Sequence, residues 1–319
     1  MSAKVLIIGG AGYVGGITAD ILEKKGYSVC IYDNLMYESR FLKRIPFVFG
    51  DIRDTAKVLE TAKDFDVVIL MAALVGDPAC AVNIALTDAI NREAIRSICY
   101  GLDNSKHIIF LSTCSVYGAQ DKILDEESET NPLSAYASTK LKAEKYVLQK
   151  NGTVFRLGTV YGVGDTYSRI RLDLVANVLA MKAVYEHKIQ IFGGEQWRPL
   201  ICVKDISGYI AESIDRNIRG LYILSQFNMT MKDLGEKIVE LFPDTKIAYT
   251  DILFEDARNY KVNPVKSNKQ FYYRPKCTIE NEMVELAYLF VEGRIKNIGN
   301  IVYHNGNFLR KEFINHINY

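Results

Sequence analysis

The chain has 319 residues, more than one small core needs and enough for a large α/β domain with a smaller lobe. Hydrophobic residues at 49% and charged residues at 24% are close to globular averages, which excludes disordered, collagen-like and coiled-coil chains. A net charge of +1 supplies no bulk field for nucleic acid or an anionic membrane, so neither is expected as a partner.

Short apolar runs alternate with helix-like stretches. Residues 5–8, 28–32, 67–71, 107–112 and 153–157 are continuously hydrophobic rather than alternating, the pattern of strands buried on both faces of a parallel sheet with crossover helices. The expected fold is α/β, a Rossmann-type doubly wound parallel sheet with a smaller mixed α/β substrate-binding lobe. Between the strands, residues 17–25 read as a helix ending at Gly26, and residues 141–149 as one ending before Asn151-Gly152. Beyond about residue 165 the rhythm breaks: residues 169–173 open a helix, 196–199 form a loop, and 220–224 read as a strand returning to the main sheet. Residues 1–165 are expected to form the nucleotide-binding domain, a strand near 200–224 returning to it, and 166–319 most of an interleaved substrate lobe.

Gly9, Gly12 and Gly15 follow the first strand and open the first helix, with Tyr13 and Val14 between the last two. In that context glycines permit the tight turn, the approach of backbone to a pyrophosphate and close helix–strand packing, with the diphosphate at the helix N-terminus. The second strand ends at Asp33-Asn34, close to the ~20 residues expected between the last glycine and the acid that holds a ribose 2′-hydroxyl. A carboxylate there repels a 2′-phosphate, which favours NAD over NADP. After the third strand, Asp51-Ile52 could accept from an adenine amino group and cover its ring, while neighbouring Asp54 suits a helix N-cap. Met71-Ala72-Ala73 ends the fourth strand with small side chains, which would let backbone lie against the cofactor ribose or simply pack closely.

Tyr136 and Lys140 are four apart and share one helix face. An ammonium beside a phenol favours the phenolate, which a tyrosine near its ordinary pKa of about 10 does not reach alone. With the upstream glycines, Asp33, Asp51-Ile52, Thr113 within the run 112–118, Val160-Tyr161-Gly162 and Trp197-Arg198-Pro199 in this order, the chain resembles an extended short-chain dehydrogenase/reductase of the nucleotide-sugar epimerase/dehydratase group. The resemblance implies hydride movement between nicotinamide and a sugar carbon, commonly C4. Tyr136 would then be the acid/base, Thr113 the hydroxyl on the same oxygen, and Lys140 the phenolate stabiliser and a ribose ligand. It also implies that Asn91 belongs to the cofactor site, and that the helices near Asn91 and Ser134 pair two chains as a homodimer.

For a nucleoside-diphosphate sugar, Arg198 and Arg258 are the expected diphosphate cations. Asn177 resembles an amide that contacts the diphosphate, and Arg169 or Arg171 would reach the sugar or nucleoside. Two departures narrow the reaction. The resembling 4,6-dehydratases carry Asp then Glu after the catalytic threonine, whereas Cys114 and Ser115 stand here, so dehydration lacks its acid and base and Cys114 reads as a packed thiol. Thr159 stands where the family's asparagine is usual. The combination of residues 74–78, 112–118 and 196–199 looks most like enzymes of surface-polysaccharide sugar synthesis, GDP-heptose C4-dehydrogenases of capsule pathways among them; a C4-epimerase shares every residue named.

The six cysteines are widely spaced without a C-x-x-C pair, as in a cytoplasmic protein with reduced thiols. No segment approaches the ~18 apolar residues of a membrane span, and a soluble protein without a targeting segment is expected. The four histidines lack metal-ligand spacing, and no metal site is expected. Asp205 reads as a helix N-cap.

Overall fold

The computed structural model describes residues 3–250 and 258–317. Its strands are β1 (Lys4–Ile8), β2 (Ser28–Asp33), β3 (Phe47–Phe49), β4 (Val67–Leu70), β5 (His107–Thr113), β6 (Ala119–Leu124), β7 (Thr153–Leu157), β8 (Thr159–Tyr161), β9 (Lys188–Phe192), β10 (Trp197–Cys202), β11 (Gly220–Leu224), β12 (Phe227–Thr230), β13 (Lys246–Thr250) and β14 (Asn259–Val262). The helices are α1 (Tyr13–Lys24), α2 (Thr55–Ala62), α3 (Asp77–Cys80), α4 (Ile84–Asp88), α5 (Ala94–Gly101), α6 (Ala135–Gln149), α7 (Val175–Glu186), α8 (Val203–Asp215), α9 (Met231–Leu241), α10 (Val265–Gln270), α11 (Ile279–Val291) and α12 (Asn305–Ile317).

Seven parallel strands form the main sheet in the order β11-β7-β5-β4-β1-β2-β3. Every residue of β4, β5 and β7 is buried, which is why these runs carry no alternation in sequence. Alternate residues feed two cores: Leu6 and Ile8 point toward Val58 of α2, Ile98 of α5 and Val147 of α6, while Val5 and Ile7 meet Leu22 of α1 and Ile210 of α8. β11 takes the edge beside β7, as expected of the returning strand.

Leaving the sheet, the chain builds smaller sheets of order β12-β10-β8, β13-β9 and β14-β6; the first two pack with α7, α9 and α11 around a third core, while β14-β6 packs on Val116 and Tyr117 in a small fourth one. Two readings are corrected. Residues 196–199 do not form a loop throughout: Trp197 already begins β10, held in register against Thr230 of β12. Nor do residues 169–173 open a helix; α7 starts only at Val175, because Arg169 and Arg171 are drawn sideways to Asn305 and Asp173.

Candidate active site

A cleft of about 750 Å³ opens at the carboxyl ends of the main-sheet strands, where β1 has β2 on one side and β4 on the other. Ligands of doubly wound sheets bind at that switch point. Gly9 has φ +90° and a Cβ there would meet the Ala72 nitrogen at 2.3 Å; one on Gly15 would meet the Gly9 carbonyl at 2.3 Å. α1 starts directly after Gly12, which offers no side-chain cap, so the helix's first N–H groups are available to an anion. The Tyr13 hydroxyl donates to Gly162 O at 2.6 Å, tying this turn to the opposite wall. Gly15→Ala is expected to weaken NADH binding about 10-fold for each ~1.4 kcal/mol of the resulting clash, read by fluorescence titration.

The residues present fit a dinucleotide. Asp33 lines the cleft with its carboxylate oriented by the N–H groups of Ala11 and Leu35, at 3.0 and 2.8 Å; burial raises its pKa and these bonds lower it. Each carboxylate oxygen retains acceptor capacity for a ribose hydroxyl. Asn34, Asp51, Ile52, Met71, Ala72 and Ala73 line the same end, with Arg53 gripping Asp51 at 2.8–2.9 Å. The Tyr37 hydroxyl and Glu38 Oε1 are buried there without a hydrogen-bond partner, an arrangement that a polar ligand relieves. Asn91 stands behind the wall instead: its amide is spent on the Leu74 N–H and carbonyl, at 2.9 and 2.8 Å.

At the carboxyl end of β5, Ser134 caps α6 by accepting from the Ala137 N–H, and the helix then presents Tyr136, Lys140 and Glu144 at four-residue spacing. Thr113, the last residue of β5, lies beside the Tyr136 phenol and both line the cleft; the Thr113 hydroxyl donates to Ser115 Oγ and accepts from Ser115 N, each at 3.1 Å. Burial pushes that phenol up, helped by Cys80 and Asp77, while Thr113 and Arg171 pull it down. Lys140 is buried with Nζ donating to Leu111 O at 2.9 Å and lying 4.6 Å from the centre of the Phe110 ring. Burial lowers its pKa to about 8, opposed by Cys80 and Glu144. Cys114 is a fully buried thiol bonded to Arg156 O at 3.4 Å, the packed role expected of it.

Arg198 and Arg258 both line the cleft. The Arg198 guanidinium donates to the Arg258 carbonyl, and that of Arg258 donates to Ser115 Oγ at 3.1 Å and faces Asp77 at 3.5 Å. Asn177 does not reach the cleft: fully buried, its amide clamps Gly162 and the Arg171 carbonyl. Arg169 lines the cleft and lies over the ring of Tyr37, 3.9 Å from its centre, in the loop that follows Asp33. Arg171 lines the cleft paired with Asp173 at 2.6 Å. Asp205 is not an N-cap but a buried carboxylate inside α8, accepting from Tyr273 OH, Lys276 N and Cys277 N.

Sequence reasoning missed Asp77, which accepts from Ser134 Oγ at 2.6 Å and thereby joins the catalytic helix to Arg258. Its place just past a strand's carboxyl end was the available signal. Asn305 was also missed. It bonds the Val75 carbonyl and Asp173, folding α12 over the cleft, and no local pattern marks it.

Residues 5–218 match the model of the NAD dependent epimerase/dehydratase family. The chain is 34% identical over 255 residues to a UDP-glucose 4-epimerase of Rhizobium leguminosarum bv. trifolii, covering 72% of this chain and 76% of that one. It is 28% identical over 214 residues to a UDP-glucose 4-epimerase of Corynebacterium glutamicum, the match spanning 60% of this chain and slightly under two thirds, 63%, of that enzyme. The fold is similar to that of UDP-glucose 4-epimerase from Thermus thermophilus in complex with NAD, with a TM-score of 0.77 at 20% identity over 91% of this chain and 99% of that one. Among the described residues no helix is long and apolar enough to cross a membrane. With its glycine turn intact and NAD as cofactor, the chain belongs to the NAD dependent epimerase/dehydratase family.

Proposed function

We propose that this enzyme oxidises the C4 hydroxyl of a nucleoside-diphosphate sugar and completes the cycle as a 4-epimerase. The observation that carries the reading is that Thr113, Tyr136 and Lys140 line one cleft at the carboxyl end of β5 together with Arg198 and Arg258. In this mechanism the Tyr136 phenolate takes the C4 hydroxyl proton while the Thr113 hydroxyl donates to the same oxygen, holding it as the carbonyl forms. Lys140 has three N–H donors and spends one on Leu111, leaving two for ribose hydroxyls. Arg198 and Arg258 orient the diphosphate through their planar forks. Bound NAD supplies the hydride acceptor. Ser115, where a dehydratase would place a carboxylate, holds Arg258 instead, which favours redox chemistry at C4 over loss of water.

The epimerase outcome is supported by relatives named as UDP-glucose 4-epimerases. A dehydrogenase that releases the 4-keto sugar, with GDP-heptose as the substrate that the sequence resemblance favours, uses the same residues. The deciding experiment denatures the purified protein, identifies the released nucleotides by mass, and then supplies UDP-glucose or GDP-heptose. A C4 isomer without net NADH supports the epimerase; stoichiometric NADH with a keto sugar supports the dehydrogenase. Absence of dinucleotide binding overturns both.

Turnover is expected to fall above about pH 8. Below that pH Lys140 carries its charge, and as pH rises through it the cation that favours the phenolate is lost. In Lys140→Arg the residual activity should keep its alkaline limb at higher pH, because guanidinium does not titrate there; a pH–rate profile checks this.

A further inference from the structure

Away from the cleft, Cys202, Cys277 and Glu282 bring two sulphurs and a carboxylate oxygen within 4.8 Å of one another. They come from three places: Cys202 ends β10, Cys277 precedes Thr278, the cap of α11, and Glu282 lies in the first turns of α11. Cys202 and Glu282 are buried, whereas Cys277 is half-buried and leaves an entry path. We propose that these three side chains form a Zn2+ site, with water as fourth ligand.

Three independent features support it. Thiolate and carboxylate donors are the set that zinc takes, at about 2.3 Å to sulphur and 2.0–2.2 Å to oxygen. A tetrahedron of that size has edges of roughly 3.8 Å, so the present spacing needs only side-chain adjustment. Second, the cysteine backbones are already fixed by one residue: Gln226 Oε1 accepts from Cys202 N at 2.9 Å, and its Nε2 donates to Cys277 O at 2.9 Å. Such support around the ligands is what orients a metal site. Third, charge balances. Two thiolates and Glu282 carry three negative charges, offset by the two of Zn2+ and by the Lys204 ammonium, which lies 2.8 Å from Glu282 and is shared with the half-exposed Glu285 at 2.5 Å. Nearby Asp205 is compensated by its own donors, among them Cys277 N and Tyr273 OH. Binding is a simple exchange in which the two thiols release two protons as two Zn–S bonds form.

The metal would brace the nucleotide site from behind. Glu282 Oε2 accepts from Val163 N at 3.0 Å, and the adjoining Gly162 carbonyl receives the Tyr13 hydroxyl. The site is independent of the C4 reading and survives its failure.

The full-length protein, reduced and stripped with chelator, should be titrated with Co2+ and then Zn2+. The expected result is a sulphur-to-cobalt charge-transfer band saturating at one equivalent, bleached by Zn2+, and a rise in melting temperature with Zn2+. Cys277→Ser should weaken the band, since Cys202 then supplies the one sulphur ligand, and Glu282→Gln should weaken Zn2+ binding at least about 10-fold. If these variants fail to fold, the wild-type titration decides alone. No charge-transfer band at saturating Co2+, or a band that persists in a folded Cys202→Ser/Cys277→Ser protein, overturns the proposal.

Discussion

Tyr136→Phe is expected to lower turnover by about 10²–10⁴-fold, the usual worth of a positioned acid or base, while NADH affinity stays near that of the wild type. The phenylalanine keeps the ring in α6 and removes only the phenol oxygen, which lies beside Thr113. Its neighbours already oppose ionisation, since burial, Cys80 and Asp77 all push the phenol up. The phenolate therefore depends on cations, namely Arg171, which already lowers its pKa, and Lys140 on the same helix face. Thr113→Val should cost less, roughly 10-fold for a hydrogen bond worth ~1.4 kcal/mol, because the phenol can still take the proton. The double variant should resemble Tyr136→Phe alone, since groups that act as one unit are not additive. Stopped-flow and steady-state rates with the accepted sugar nucleotide check all three. Turnover by Tyr136→Phe within about threefold of wild type would remove Tyr136 from the acid/base role, as no general acid–base contribution is that small.

The main sheet was legible because strands buried on both faces are mainly hydrophobic without alternation, as the cores of β1, β2, β4, β5, β7 and β11 are. The glycine turn was legible because its spacing serves backbone geometry: no Cβ fits at Gly9 or Gly15. Tyr136 and Lys140 were legible because helical spacing is local. What escaped were residues whose partners are distant in sequence. Asn177 and Asn91 looked like ligand amides but are bound to backbone carbonyls and N–H groups. Nor did the sequence show that Arg169, expected with Arg171 to reach the sugar or nucleoside, is held by Tyr37 and Asn305. Asp77 and Glu144 were passed over because an isolated acid in sequence reads as surface charge, although Asp77 follows a strand's carboxyl end; only the fold shows that Glu144, one helical turn on from Lys140, is buried.

That buried glutamate carries the largest expected effect on stability. Arg156→Met should destabilise the protein by about 3–5 kcal/mol, the cost of leaving a buried charge without its partner, read from denaturant midpoints at constant slope. Arg156 and Glu144 side chains are only 5% and 3% exposed and meet at 2.8 Å. The same carboxylate accepts from Ser112 Oγ at 2.5 Å, and the guanidinium donates to Tyr117 OH at 2.9 Å. One ion pair thus joins β5, β7, α6 and the short 3-10 turn Cys114–Tyr117 that follows Thr113. Adding Glu144→Gln to Arg156→Met should recover part of the loss, because the orphaned charge is then gone, and such recovery separates charge burial from lost packing. Chemistry should respond too: Glu144 opposes the fall of the Lys140 pKa, so in a folded Glu144→Gln protein the alkaline limb of activity moves below about pH 8. A limb that stays in place would mean that Lys140 does not set it. Equal stability of wild type and Arg156→Met would mean that the pair contributes no more than an exposed one.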